Sequence, residues 1–236
     1  MKEMLNRIKY FIIGILVFLL YFKGLPIILG VMFGPSFKSS SKFVSNIYLS
    51  LAEIIIFLVL FMIFRKTIVS DIKKFKHDYK KNLDTGFKYY FIGFLVMVAS
   101  NLLLNIISGG MATNESVNRE YLKMYPLYSI VAMVFIGPLV EEIVFRLGFR
   151  KAFKKCLTYC LFSGIFFGAL HVYTAYEGMN LAQILKNWFQ ILYIVPYSSL
   201  GVAFAKSYYE TDNICTTMVI HTIHNALTVF LILLVM

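Results

Sequence analysis

Charge is what this 236-residue chain has least of. Only 15% of its residues are Asp, Glu, Lys or Arg, against 59% that are hydrophobic, and mean hydropathy is +0.75. A soluble domain carries about 45–50% apolar residues, so this composition excludes an ordinary water-soluble globule. Cysteine is scarce too. Cys156, Cys160 and Cys215 form no paired framework, which excludes a disulfide-held scaffold. Cys156 and Cys160 stand one helical turn apart, a weak metal or redox signal that better fits small apolar residues near a helix end. Internal repeats, low-complexity tracts and linkers are also missing. Acidic residues are outnumbered, with 12 Asp and Glu against 23 Lys and Arg, for a net charge of +11. In a soluble protein that excess would point to nucleic acid. Here the basic residues sit at the ends of apolar runs, where they set topology and meet anionic lipid headgroups. Nucleic acid is not an expected partner; membrane lipid is.

What the chain has in abundance is long apolar runs, and a transmembrane helix needs roughly 17–25 such residues. Seven runs qualify, at about 10–33, 46–64, 89–108, 127–147, 158–175, 188–206 and 214–235. The expected fold is all-α, a polytopic transmembrane bundle of about seven spans. The first run follows Lys2, Arg7 and Lys9, lacks a small-residue cleavage site after it, and is interrupted by Lys23, Gly24 and Pro26. It is therefore expected to be kinked or partly interfacial. Lys and Arg counts set the orientation. The N-terminus holds three, the segment 65–88 eight, the turn 150–155 four, and Lys206 follows. The opposite side has Lys38, Lys42, Arg119, Lys123 and Lys186. The richer side, with the N-terminus, is expected in the cytoplasm. Segment 65–88, centred on KKFKHDYKK, reads as an amphipathic loop at the headgroups, with His77 a surface residue.

An ionisable group inside the bilayer is expensive and so a functional candidate. GPLVEEIVFR in the fourth run puts Glu141, Glu142 and Arg146 on one helix. Successive residues point about 100° apart, so the two carboxylates cannot share a role. Glu142 and Arg146, four apart with the acid first, suit an intrahelical ion pair. Glu141 is left without a local partner, as a candidate general base. His171 lies in the fifth run; His221, His224 and Asn225 lie in the seventh. His221 and Asn225 share a helical face. Glu141 and His221 are each expected about 10 Å from the cytoplasmic side, by residue counts at about 1.5 Å per residue, with His171 nearer the midplane. One carboxylate, two imidazoles and an amide can converge there. On these residues alone the chemistry stays open between proton relay, metal binding and hydrolysis. Glu53 near the start of the second run reads as interfacial. Asn101 and Asn105 in the third read as interhelical glue.

In order along the chain stand Glu141-Glu142 with Arg146, then Phe167 with His171, then His221 with Asn225. This ordered set resembles the CAAX-protease and bacteriocin-processing family of intramembrane endopeptidases (CPBP, or Abi), whose pattern is EExxxR, FxxxH and HxxxN. The resemblance covers about 125–235, within a catalytic core expected over 125–236; residues 1–124 are expected to be N-terminal transmembrane helices carrying the basic loop 65–88. What the resemblance implies is a peptidase. Glu141 would activate the attacking water, His171 would position it, and His221 with Asn225 would stabilise the oxyanion. Glu142, Arg146 and Phe167 would support them, and His224, outside the pattern, would flank the site. A metal-free mechanism is favoured; were zinc bound, Glu141, His171 and His221 would be its ligands. The substrate implied is a membrane-associated protein or peptide precursor, in a bacterial plasma membrane. Bacteriocin immunity or peptide maturation are candidate roles, and a non-catalytic immunity or scaffold protein is the alternative.

Overall fold

The computed structural model describes residues 2–34 and 41–235, and among them every regular element is helical. Lys38 of the orientation count lies outside the described residues. α1 is Lys2–Ile28, prolonged by a π turn over Leu29–Phe33. α2 is Lys42–Ser108 and α3 is Thr113–Met124. α4 runs over 126–150 as three α segments, Pro126–Ile130, Gly137–Glu142 and Gly148–Arg150, joined by π turns Val131–Ile136 and Ile143–Leu147. α5 is Cys156–Tyr173 and α6 is Leu181–Lys186, with a 3-10 turn Trp188–Tyr193 after it. α7 is Ile194–Thr211 and α8 is Ile214–Val235.

Five helices are long and apolar enough to cross a membrane, among the described residues. The segment Phe43–Ser108 is one of them and contains two of the expected runs. The run 127–147 falls on α4, which the π turns divide. The outer surface of the bundle is correspondingly apolar: Leu58, Phe91, Ile106 and Leu234 are exposed. In water such a surface would aggregate; facing lipid it is the favourable state. The protein is a multi-pass helical membrane protein.

α1 stays helical through Pro26, where neighbouring helices tolerate the lost backbone bond, and its membrane-length stretch is Lys2–Gly24. One sequence expectation changes. The basic segment 65–88, expected as a loop, is helical apart from Asp78, where φ −114° and ψ 24° bend α2 into two arms. Its lysines are good helix formers, and the bend lets both arms grip the turn between α7 and α8. From the first arm Asp71 accepts the Ile214 N–H (3.0 Å) and, through its carbonyl, the Asn213 amide (2.9 Å). On the second, the Gly86 carbonyl accepts from Ser207 Oγ (3.2 Å).

α5 and α7 meet backbone to backbone. A Cβ at Gly164 would lie 2.6 Å from Val202 N, and one at Gly201 would lie 2.8 Å from the Gly164 carbonyl. Small residues are what let membrane helices meet backbone to backbone. The main core, with Phe145, Phe167, Ala205 and Ile214, forms where α4 meets this pair and α8.

Candidate active site

α4 carries Glu141, Glu142 and Arg146 into the interior. Glu142 and Arg146 are fully buried, and each is fully engaged. Arg146 donates from Nε to Glu142 Oε2 (2.9 Å) and from Nη2 to Oε1 (3.3 Å). Its Nη1 donates to Ser163 Oγ on α5 (2.6 Å), and Ser163 donates onward to the Phe145 carbonyl (2.8 Å). The rings of Phe167 and Phe204 lie 5.4 and 5.9 Å from the guanidinium carbon. From α8, His221 Nδ1 approaches Glu142 Oε1 at 3.0 Å.

Glu141 faces the other way and has no such support. Its carboxylate is met by His221 Nε2 at 3.7 Å, His171 Nε2 at 4.0 Å and the Tyr21 hydroxyl of α1 at 3.5 Å. None of these is a tight hydrogen bond. The tautomers follow from the far ends of the two rings. Glu142, ion-paired to Arg146, can only accept, so His221 Nδ1 donates to it. His171 Nδ1 lies 2.9 Å from the Phe167 carbonyl, also an acceptor, so it donates too. That carbonyl is one turn back along α5, which pulls the imidazole of His171 towards the basic end, down to the level of Glu141. A ring in that tautomer, when neutral, presents a bare Nε2 to Glu141. Three acceptors then face one another with only the long Tyr21 O–H bond to serve them, an arrangement that suits a shared proton or a water between them. The side chains of Glu141 and His171 are 14% and 17% exposed where those of Glu142 and His221 are 0% and 4%, so the donor-poor side is the side a reactant reaches.

Asn225 is held by a different logic. In the π turn Val131–Ile136 the Gly137 N–H bonds to Ala132 O, and Pro138 has no N–H to offer. The Met133 carbonyl is thereby left without a helical donor, and Asn225 Nδ2 supplies one at 2.7 Å. One amide N–H of Asn225 is spent; among the described residues the second is uncommitted. Phe167 forms a wall, 4.4 Å from the His171 ring and 5.8 Å from that of His221, centroid to centroid. His224 is not brought to this cluster. Its Nδ1 lies 3.1 Å from the Tyr90 hydroxyl, with Phe94 edge-on, on the second arm of α2. α4 continues to Arg150, so Glu141 stands nine residues, about 14 Å, from its basic end, deeper than the count of residues suggested. Glu53 is not at the surface alone: it accepts from Tyr128 (3.2 Å), and Asn105 is exposed on the bundle's outside.

Residues 123–227 match the model of the family described as type II CAAX prenyl endopeptidase, Rce1-like. Over this segment the chain is similar to that family. No curated protein and no solved structure matches the chain. The matched segment contains every member of the Glu141, Glu142, Arg146, His171, His221 and Asn225 constellation, and the family it resembles is one of proteases.

Sequence reasoning passed over four neighbours of that constellation. Tyr197 stacks on His171 and Phe204 on His221, at 4.7 and 4.6 Å; among so many buried aromatics neither carries a distinguishing signal. Ser163 is a lone hydroxyl opposite Arg146. Tyr21 had the one usable cue, a phenol inside an apolar run. As for metal, among the described residues no group of three or more His, Cys, Asp or Glu side chains is arranged to hold an ion.

Proposed function

We propose that this protein is an intramembrane endopeptidase that hydrolyses a peptide bond of a membrane-associated protein or peptide precursor, with water activated by Glu141. The observation that carries the reading is the donor-poor cluster: one carboxylate faced by two Nε2 atoms whose Nδ1–H groups are already committed. A water there would donate to Glu141 and to an imidazole together, and be aligned by both. Glu141 takes a proton from the water as its oxygen bonds to the scissile carbonyl carbon. Negative charge moves to the carbonyl oxygen, towards the second N–H of Asn225. His221 stands across from it and, when protonated, donates from Nε2, its charge supported by Glu142. On collapse the C–N bond breaks and the proton held by Glu141 passes to the leaving amine, giving a carboxylic acid and an amine.

The mechanism we favour uses no metal. Were zinc bound, Glu141, His171 and His221 would be its ligands, since backed imidazoles also suit metal binding, and a chelator separates the two mechanisms. The proposed setting is a bacterial plasma membrane, basic end and N-terminus in the cytoplasm, without a nucleic-acid partner. Bacteriocin immunity and peptide maturation are the roles proposed.

The test is cleavage of a membrane-peptide library by purified protein in detergent, for wild type, Glu141→Gln and His221→Gln, each with and without a strong zinc chelator. Cutting by wild type alone, indifferent to chelator, is expected. Cutting abolished by chelator and restored by zinc reassigns the same residues as ligands. No cutting by wild type, with protection against a bacteriocin kept by Glu141→Gln, turns the reading to a binding protein.

A further inference from the structure

The family match begins at residue 123, yet one polar atom beside Glu141 comes from α1. We propose that the Tyr21 hydroxyl is a catalytic donor, reaching the oxyanion of the tetrahedral intermediate, so that the N-terminal helix completes the active site. This rests on the peptidase reading.

Donors for that oxyanion are few. Asn225 has spent one N–H on Met133, and His221 Nε2 donates only when protonated. The Tyr21 phenol is a donor whose hydrogen bond, among the described residues, is the long one to Glu141 Oε1, at 3.5 Å. That separation is longer than a settled O–H···O bond, leaving the hydroxyl able to turn. A carbonyl attacked by water lying on Glu141 brings its oxygen into the same few ångströms. A hydroxyl poised there meets charge that exists only in the transition state, the condition for raising kcat rather than tightening binding.

The placement is built into the contact between α1 and α4. A Cβ at Gly14 would lie 2.6 Å from Phe149 Cδ1 and 2.8 Å from the Gly148 carbonyl, so only glycine lets the helices meet. One turn on, Phe18 packs on Phe145 and Phe166, with ring centroids 6.2 and 4.4 Å apart. The next turn delivers Tyr21 to Glu141. The stripe 14, 18, 21 is one helical face.

The experiment compares wild type, Tyr21→Phe, Gly14→Val and the lipid-facing Leu19→Ala, in detergent, on a peptide the wild type cuts. Tyr21→Phe should lower kcat by about 10²-fold, the usual cost of one oxyanion donor, with KM within about twofold and an unchanged melting temperature. It should weaken inhibition by a peptidyl aldehyde, whose hydrate carries the tetrahedral centre, in proportion to kcat/KM. A merely structural tyrosine would not shift the two together. Gly14→Val should lower kcat by moving the same hydroxyl, and Leu19→Ala should not. A Tyr21→Phe enzyme that cuts at the wild-type rate overturns this proposal while leaving the peptidase standing. A wild type that never cuts overturns both.

Discussion

The two faces of α4 carry adjacent glutamates into opposite surroundings. On one, Glu142 has a bidentate arginine, an imidazole N–H and no exposure; on the other, Glu141 has three neighbours at 3.5 Å or more and an open side. The first arrangement satisfies every polar atom it buries and so holds helices together. The second leaves its acceptors short of a donor, and that shortage is where a water fits. One residue of sequence separates a structural carboxylate from a reactive one, because about 100° of helix rotation separates their environments.

The contrast breaks most sharply at Glu141 itself. Glu141→Gln keeps size and loses the base, so kcat should fall by about a thousandfold or more while the melting temperature holds within a few degrees. Across the helix the order reverses. Glu142→Gln or Arg146→Met strands a buried charge, which costs about 3–5 kcal/mol, and should appear as loss of folded protein in a thermal-shift or proteolysis assay before any kinetics can be read. If Glu142→Gln folds normally and merely slows the reaction, the division between the two faces is wrong.

Much of this was legible in the residues. The EE pair with Arg146 at i+4 announces one paired and one spare carboxylate, and apolar run lengths announce the membrane bundle. The geometry of α4 was less so. The extension to Arg150 puts Glu141 deeper than counting suggested, because the count assumed a helix ending with the apolar run. The tie between Asn225 and the orphaned Met133 carbonyl follows from Pro138 once the π turn is known, and no residue pattern gives the turn. Tyr21 was missed because pairing between distant helices is set by close approach at Gly14, which a lone glycine in an apolar run does not signal. Segment 65–88 misled through its charge: a lysine-rich stretch reads as solvated loop, and here it is solvated helix.

A milder test sets His221 against His224, three residues apart on α8. His224 spends its Nδ1 on Tyr90, away from Glu141. His224→Gln should therefore leave kcat within about twofold and cost on the order of 1 kcal/mol for the lost hydrogen bond, whereas His221→Gln should abolish cutting. Equal losses from the two would place His224 in the chemistry and extend the reactive face by a turn.

The smallest effect expected sharpens the comparison at the basic end, where Asp71 is a buried carboxylate with backbone partners instead of a cation. Burial pushes its carboxyl above the usual range; the Ile214 N–H and, after it, the charge of Lys74 oppose this only in part, and Asp212 adds to it. A folded-state value above the unfolded one means that folding favours the protonated form. The contribution of Asp71 is thus fully present below the unfolded value, about 3.9, and declines as pH rises through the folded value. Asp71→Asn keeps an oxygen for Ile214 and removes the buried charge. It should melt slightly above wild type at pH 7.5, and the gap should close as pH is lowered towards 4. Asp71→Ala, which leaves the Ile214 N–H unsatisfied, should melt below wild type at both ends, by about 1–3 kcal/mol. Were Asp71→Asn instead the less stable at neutral pH, the charge would be stabilising this turn as Arg146 stabilises Glu142, and a nearby lysine such as Lys74 would have to be its partner.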